Sequence, residues 1–324
     1  MGSLVLAQLD TFGPQRCERL SYDQAAAYTR DLARHHDENF TVVSRMLPRR
    51  LRDPFAHVYA FCRWADDLGD EVGDAQRSLE LLEWWRSELD RCYADEPRHP
   101  VFVALHRTVR EHDIPRQPFA DLIDAFVQDQ HVHRYDTWPQ VLDYCTRSAN
   151  PVGRLVLYLC GYRDGERQRL SDATCTALQL TNFWQDVRRD ILERDRVYVP
   201  RDVAAAHGLA VPALVEAVRQ SAAGGDRDDP VGDAALGALE SAYQATLREL
   251  VGRTWPLFAE GRKLWPIVDR DVRWSIQLFT LGGEAVLRRI ERMDHRTLRR
   301  RPKLTRSTKL MLMGRVLVGR MKWT

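Results

Sequence analysis

The sequence has little of what β-sheets, disulfide scaffolds and membrane spans require. Among its 324 residues are only six isoleucines, and no window alternates apolar and polar side chains over the length of a strand. Its six cysteines form no Cys-x-x-Cys pair and no His/Cys cluster at zinc spacing, which predicts reduced thiols in a cytosolic protein. No apolar run approaches the roughly 18 to 20 residues that span a bilayer, and no secretory signal is recognisable at the N-terminus. We therefore expect a cytoplasmic protein that is neither secreted nor membrane-spanning.

Positive charge is distributed unevenly along the chain. The formal net charge is +2, from 48 Lys and Arg against 46 Asp and Glu. Residues 295–324 contain ten of the basic residues and no acidic one, so the remainder carries 38 basic against 46 acidic residues. Leu310, Val316 and Met321 interleave with these cations, which is typical of an amphipathic helix on an anionic membrane surface. We expect this segment either to contact the inner face of the cell membrane or to pack against the protein, and we expect no nucleic-acid partner.

Helix-period patterns dominate the sequence and predict an all-α fold. Segments long enough for helices are separated by short stretches rich in Pro, Gly and Asp. Examples of such segments are 22–35, 78–93, 117–130, 140–160, 171–193, 234–250 and 273–293. No long linker divides the chain, and 222–233 is short enough to be a loop, so residues 1–324 are expected to form one domain. The glycines form no Gly-x-Gly-x-x-Gly after a strand, so no nicotinamide or flavin site is predicted.

One segment places carboxylates at helical spacing among aromatic residues. In residues 59–71 (YAFCRWADDLGDE), the polar side chains follow one another at steps of three or four. They are Tyr59, Arg63, Asp66 or Asp67, and Asp70, and on a helix they share one face. Because the flanking residues are apolar and aromatic, these carboxylates point toward a core unless a ligand requires them there.

A second segment repeats this arrangement about 120 residues later. In residues 179–190 (QLTNFWQDVRRD), Gln179, Asn182, Asp186 and Asp190 step by three, four and four. A single stripe of this kind is most simply a solvated helix face. Two stripes in apolar surroundings need a partner, because buried carboxylates without compensation are costly.

A bound magnesium ion would compensate the negative charge of these buried carboxylates. Mg²⁺ takes one or two carboxylates and completes its coordination with water and phosphate oxygens, so two facing helices of this kind can hold a diphosphate. The metal neutralises the departing diphosphate as a Lewis acid, and the nine Trp, ten Tyr and ten Phe supply ring faces that shield a carbocation. The pattern predicts Mg²⁺-dependent ionisation of an isoprenoid diphosphate.

The two motifs resemble those of the squalene/phytoene synthase family. Residues 59–70 are similar to the family's Y-x-x-C-R-x-x-D-D-x-x-D, and 179–200 to its Q-x-x-N-x-x-R-D-x-x-x-D followed by R-x-Y-x-P. The resemblance implies a single isoprenoid synthase bundle of α-helices with a central cavity, a Mg²⁺ cofactor and an isoprenoid diphosphate substrate. The metal ligands that it implies are Asp66, Asp67, Asp70, Asp186 and Asp190. The substrate-binding residues that we assign on the same basis are His36, Asn39, Phe40, Tyr59, Arg63 and Gln179.

The chain departs from the family pattern at positions that carry charge. The family's H-S-K-S-F is replaced by HDENF at 36–40, so Glu38 stands at a phosphate-binding lysine, and Gln185 stands where the second motif has arginine. The family's Y-C-x-Y-V-A-G-x-V-G is replaced by YCTRSANPVG at 144–153, and Gly282 replaces a tyrosine. Two of these changes remove positive charge from the diphosphate-binding end, which favours a substrate with one diphosphate over two substrates held together.

Three short segments, ENF, SANPVG and NFWQD, are similar to the bacterial hydroxysqualene synthase branch of the family. The resemblance implies that presqualene diphosphate is ionised and that water traps the rearranged cation, without a reductant, in squalene and hopanoid supply with hand-over to neighbouring squalene-pathway enzymes. As catalytic residues we predict Tyr144, which either packs in the core or lines the cavity, and Asn150, Asn182 and Gln185, which place or admit the water. The alternatives are a synthase that condenses two prenyl diphosphates head to head, and an inactive family member that serves as a scaffold.

Overall fold

The computed structural model of the protein describes residues 5–36, 47–223 and 230–305. In these ranges the chain forms α-helices, two short 3-10 helices and two isolated bridges, and no β-strand. The α-helices are α1 (Leu9–Phe12), α2 (Tyr22–His36), α3 (Arg49–Asp70), α4 (Ala75–Tyr93), α5 (Pro100–His112), α6 (Gln117–Gln128), α7 (Trp138–Ser148), α8 (Asn150–Leu159), α9 (Gly165–Arg194), α10 (Arg201–Ala206), α11 (Val211–Ala223), α12 (Pro230–Gly261) and α13 (Arg270–Arg292). The all-α prediction is confirmed.

One predicted helix is divided in two. The pattern at 140–160 predicts a continuous helix, but α7 ends at Ser148 and α8 begins at Asn150. Pro151 explains the division, because proline has no N–H to donate and its ring clashes with the carbonyl four residues earlier. Proline is accepted in the first turn of α8, where the N–H groups have no helical partner. The other predicted helices match to within about six residues at each end, except that α12 continues well beyond residue 250, to Gly261.

The described residues fall into two compact units. The first unit comprises Met1–His131, Arg147–Asp172 and Ile267–Ser275, and the second comprises Val132–Thr146, Ala173–Pro266 and Ile276–Thr324. The expectation that residues 1–324 form a single domain stays a prediction. None of the helices in the described ranges is long and apolar enough to cross a membrane.

Helix α3 is the centre of the first unit, where it packs against α2, α4, α5, α6 and α8. Its aromatic residues Phe61 and Trp64 are fully buried. The rings of Trp64 and Trp85 stack with centroids 5.3 Å apart and planes 9° from parallel, and Phe61 lies edge-on to Phe119 at 4.8 Å. Aromatic pairs in these geometries stabilise a core beyond the area that they bury, so α3 is held firmly from both sides.

Helices α3 and α6 approach each other closely at Gly69. A Cβ atom at this position would lie 3.0 Å from Cδ1 of Phe126. The Nε2 of Gln130 donates a hydrogen bond of 2.9 Å to the carbonyl of Gly69. The last turn of α3, which carries the first group of aspartates, is thereby fixed against α6.

The longest helix of the second unit is α12, which packs against α10 and α11. Its core contains Trp184, Tyr243, Phe258 and Leu287, all fully buried. The indole Nε1 of Trp184 donates a 2.9 Å hydrogen bond to Oγ1 of Thr254 on α12. Because a buried indole needs such a partner, this bond fixes the orientation of Trp184 on α9, the helix that carries the second group of aspartates.

Candidate active site

The first group of carboxylates lies in the last two turns of α3. Asp67 is fully buried, and its Oδ1 is 2.5 Å from Nη2 of Arg63, one turn earlier. Nη1 of the same guanidinium is 3.3 Å from Oδ2 of Asp66, whose side chain is 42% exposed. Tyr59 and Asp70 are half-buried on the same helix. The predicted stripe therefore exists, and Arg63 compensates the buried charge of Asp67 while Asp66 offers its oxygens more openly.

The second group of carboxylates lies on α9. Asp190 is buried, and the side chain of Asp186, one turn earlier, is 16% exposed. Both oxygens of Asp186 accept hydrogen bonds from Arg301, from Nε and, at 2.9 Å, from Nη2. The neighbouring Gln185 is half-buried, and its Nε2 donates a 2.5 Å hydrogen bond to the carbonyl of Pro302. Residues 301 and 302 thus cover the part of α9 that the sequence singled out.

The electrostatics of this group favour a cation. The pKa of Asp190 is raised to about 7, chiefly by burial and secondarily by the negative charge of Asp186. No group of three or more His, Cys, Asp or Glu side chains suited to a metal ion is found in the parts of the chain that the structure describes. Mg²⁺ usually needs only one or two carboxylates from the protein and takes its other ligands from water and phosphate. Asp186 and Asp190 offer an oxygen-donor pair of this kind, although Arg301 is already paired with Asp186.

Tyr144 lies in an aromatic cluster of the second unit. Its ring centroid is 5.7 Å from that of Tyr135, 5.6 Å from that of Tyr198 and 6.1 Å from that of Phe183. Phe183 and Tyr198 stack face to face with centroids 3.7 Å apart. All four side chains are buried, so Tyr144 packs in the core of its unit among rings whose faces can interact with positive charge. Phe183 precedes Asp186 by less than one turn of α9.

The other predicted residues are distributed over both units. Gln179 is half-buried and Asn182 exposed on α9, whereas Asn150 is buried at the first position of α8 in the first unit. His36 is the last residue of α2, and Asn39 and Phe40 lie outside the described residues.

Sequence reasoning missed Arg301 as a residue of the site. It belongs to the basic segment 295–324, which was expected either to contact the membrane or to pack against the protein. Its carboxylate partner lies 115 residues earlier, and no local spacing links the two. Residues 306–324 lie outside the described part of the chain, so the membrane expectation stays a prediction.

Comparison with known proteins assigns the family. The model of the squalene/phytoene synthase family matches residues 33–308. Hydroxysqualene synthase of Rhodopseudomonas palustris is 34% identical over 260 residues, 80% of each chain, and phytoene synthase of Thermus thermophilus is 30% identical over 228 residues, 70% of each. Among solved structures, squalene synthase HpnC from Alicyclobacillus acidocaldarius is 40% identical with a TM-score of 0.73, over 85% of this chain and 95% of that one.

The chain belongs to the squalene/phytoene synthase family, an isoprenoid synthase class of enzymes. Its fold is the helical fold of the squalene synthases. The family predicted from the two aspartate motifs is confirmed.

Proposed function

We propose that the protein is a hydroxysqualene synthase that converts presqualene diphosphate and water to hydroxysqualene and diphosphate. The observation that carries the proposal is Gln185, an uncharged amide beside Asp186 where the family motif has arginine. Because glutamine lacks the positive charge of arginine, this position suits a substrate with one diphosphate, and the amide can orient a water molecule. The similarity to a hydroxysqualene synthase over 80% of the chain supports the same reaction.

The reaction begins when the bond between the cyclopropylcarbinyl carbon and the diphosphate oxygen breaks and the oxygen keeps the electron pair. Asp66, Asp67 and Asp70 on α3, and Asp186 and Asp190 on α9, are the residues that we expect to hold Mg²⁺. When bound, Mg²⁺ supplies Lewis-acid neutralisation of the leaving diphosphate. In this proposal Arg63 pairs with Asp67 and so maintains the shape of the first carboxylate group.

The cation then rearranges and is captured by water, whose oxygen forms the new C–O bond while one proton is released. The rings of Tyr144, Phe183 and Tyr198 form an aromatic cluster in the unit that carries the second carboxylate group, and Phe183 is on the same helix as Asp186. In this proposal the ring faces stabilise the carbocation and keep water from adding at the wrong carbon. Gln185 directs the water, and no electron donor is consumed.

The proposal is tested by incubating the purified protein with Mg²⁺ and presqualene diphosphate, and in parallel with farnesyl diphosphate, without a reductant. Mass spectrometry identifies the products. We expect hydroxysqualene from the first incubation and no product from the second. Absence of hydroxysqualene in the first incubation, with protein that is folded and binds Mg²⁺, would refute the proposal.

The role of Gln185 is tested separately by Gln185→Arg. A second cation beside Asp186 should retain the diphosphate and occupy the place of the water, so the hydroxysqualene yield should fall at least ten-fold. The control is Gln220→Arg, which makes the same change at an exposed glutamine on α11 of the same unit. Equal product profiles for the two variants would remove Gln185 from the mechanism.

A head-to-head condensing synthase is the second candidate, favoured by the similarity to phytoene synthase over 70% of the chain. Accumulation of presqualene diphosphate or phytoene from prenyl diphosphates would establish it. A scaffold without catalysis predicts no product in any incubation and no thermal stabilisation by Mg²⁺ with diphosphate, since a ligand that binds the folded state must stabilise it.

A further inference from the structure

The carboxylate of Asp186 already has a cationic partner within its own unit. The guanidinium of Arg301 binds it in the two-pronged geometry that arginine forms with carboxylates, with a side chain that is 41% exposed. Arginine stays protonated at any physiological pH, so this charge does not titrate away. Asp186 is one of the residues assigned above to Mg²⁺, and a metal ion needs at least one of the two oxygens that Arg301 occupies.

A second bond attaches the same stretch of chain to α9. Pro302 follows Arg301 and is buried, and its carbonyl accepts the hydrogen bond from Nε2 of Gln185. Two consecutive residues of this segment, which we call the strap (Arg301 and Pro302), are therefore bound to two consecutive residues of α9. Proline fixes its own backbone angle φ, which reduces the conformational freedom of the strap.

The chain just before the strap is anchored elsewhere. The hydroxyls of Tyr243 and Thr297 are 2.6 Å apart, and Nε of Arg299 donates a 3.1 Å hydrogen bond to Oε1 of Glu240. Both partners are on α12. Displacement of the strap from α9 therefore needs a change only beyond Arg299, and the rest of the segment can stay in place.

We propose that the strap is an internal counter-ion that a divalent cation must displace from Asp186, and that its departure frees the Gln185 amide. This inference rests on the proposed function, in which Asp186 holds Mg²⁺ and Gln185 directs water. Without metal, Arg301 neutralises the charge of Asp186, and the carbonyl of Pro302 accepts the hydrogen bond of the Gln185 amide. When metal binds, both residues of α9 change partners together, so the group that directs water becomes available only in the metal-loaded protein.

The test measures Mn²⁺ binding by the loss of its free-ion electron paramagnetic resonance signal, with Mg²⁺ as competitor. Arg301→Gln should tighten Mn²⁺ binding about five-fold, because the metal no longer competes with a partly exposed ion pair. Arg300→Gln is the matched control: it removes the same charge from the adjacent exposed residue, and we expect less than a two-fold change. Gln185→Ala removes the neutral attachment of the strap without any change of charge and should tighten binding about two-fold.

A second measurement follows the strap itself. Hydrogen exchange of the amides of residues 303–305 in the wild-type protein should accelerate when Mn²⁺ is added, and should already be fast in Arg301→Gln. Equal Mn²⁺ affinity in the Arg301 and Arg300 variants, or exchange that Mn²⁺ leaves unchanged, would overturn the inference. Metal binding with strap release but no hydroxysqualene would refute the proposed function and leave the strap standing; no metal binding in any variant would refute both.

Discussion

Replacing Asp190 by asparagine should stabilise the protein at alkaline pH and leave its stability at acidic pH nearly unchanged. The pKa of Asp190 rises from the usual 3.8 to about 7, chiefly because the carboxyl is buried on α9. A carboxyl whose pKa is raised on folding binds its proton more tightly in the folded state, so it costs stability above the folded pKa and nothing below the unfolded one. The cost should therefore appear as pH rises from about 4 to about 7.

The size of the effect follows from the shift. About three pKa units at 1.36 kcal/mol each give an upper bound of roughly 4 kcal/mol at pH 8. Asparagine has nearly the same shape and does not titrate. The effect of the charge is therefore the difference in unfolding free energy between variant and wild type at pH 8, minus the same difference at pH 5, both measured by urea unfolding. Glu193→Gln, which makes the matching change at an exposed carboxylate of the same helix, is the control.

The same unfolding measurement is repeated with Mg²⁺ and diphosphate. Saturating Mg²⁺ with diphosphate should raise the wild-type unfolding free energy at pH 8 and do so much less in Asp190→Asn, because the metal relieves the same buried charge. A variant no more stable than wild type at pH 8, after correction for its effect at pH 5, would refute the view that Asp190 is a carboxylate kept at a cost for its function.

Three further predictions concern the framework that holds the site. Burial lowers the pKa of His57 to about 4, so stability should fall by roughly 3 kcal/mol as pH falls from about 6.5 to 4, and His57→Asn should remove that fall in acid unfolding curves. Thr254→Val should cost about 1 to 3 kcal/mol in urea unfolding because it leaves the Trp184 indole without its acceptor, and Thr254→Ser, which keeps the hydroxyl, should cost clearly less. Gly69→Ala should lower the melting temperature by several degrees, since its Cβ would press on Phe126, and simultaneous Phe126→Leu should recover part of the loss; an unchanged melting temperature would contradict the close approach of α3 and α6.

The parts of the fold that follow local rules were predictable from the sequence. The spacing of Arg63 and Asp67 by four residues places them on one face of a helix, and their ion pair follows from that spacing. The division at Pro151 was also present in the sequence, where a run of helix-forming residues obscured it. The contact of Arg301 with Asp186 was not predictable, because periodicity describes which face a residue occupies and not which distant segment covers that face. The burial of Asp190, which raises its pKa, has the same tertiary origin.

The order in which the units appear along the chain bears on how the protein is made. The first unit includes Ile267–Ser275, and there Arg50 binds Asp271 at 2.5 Å and the hydroxyl of Tyr162 accepts a 2.6 Å hydrogen bond from the amide of Asp269. On a ribosome that adds about 5 to 20 residues each second, the roughly 95 residues from 173 to 267 take about 5 to 20 s to emerge. During that interval the N-terminal helices are exposed without their closing segment, so this is the window in which a chaperone would act. A nascent chain stalled before residue 267 would be defective in both units, not only in the one whose synthesis was interrupted.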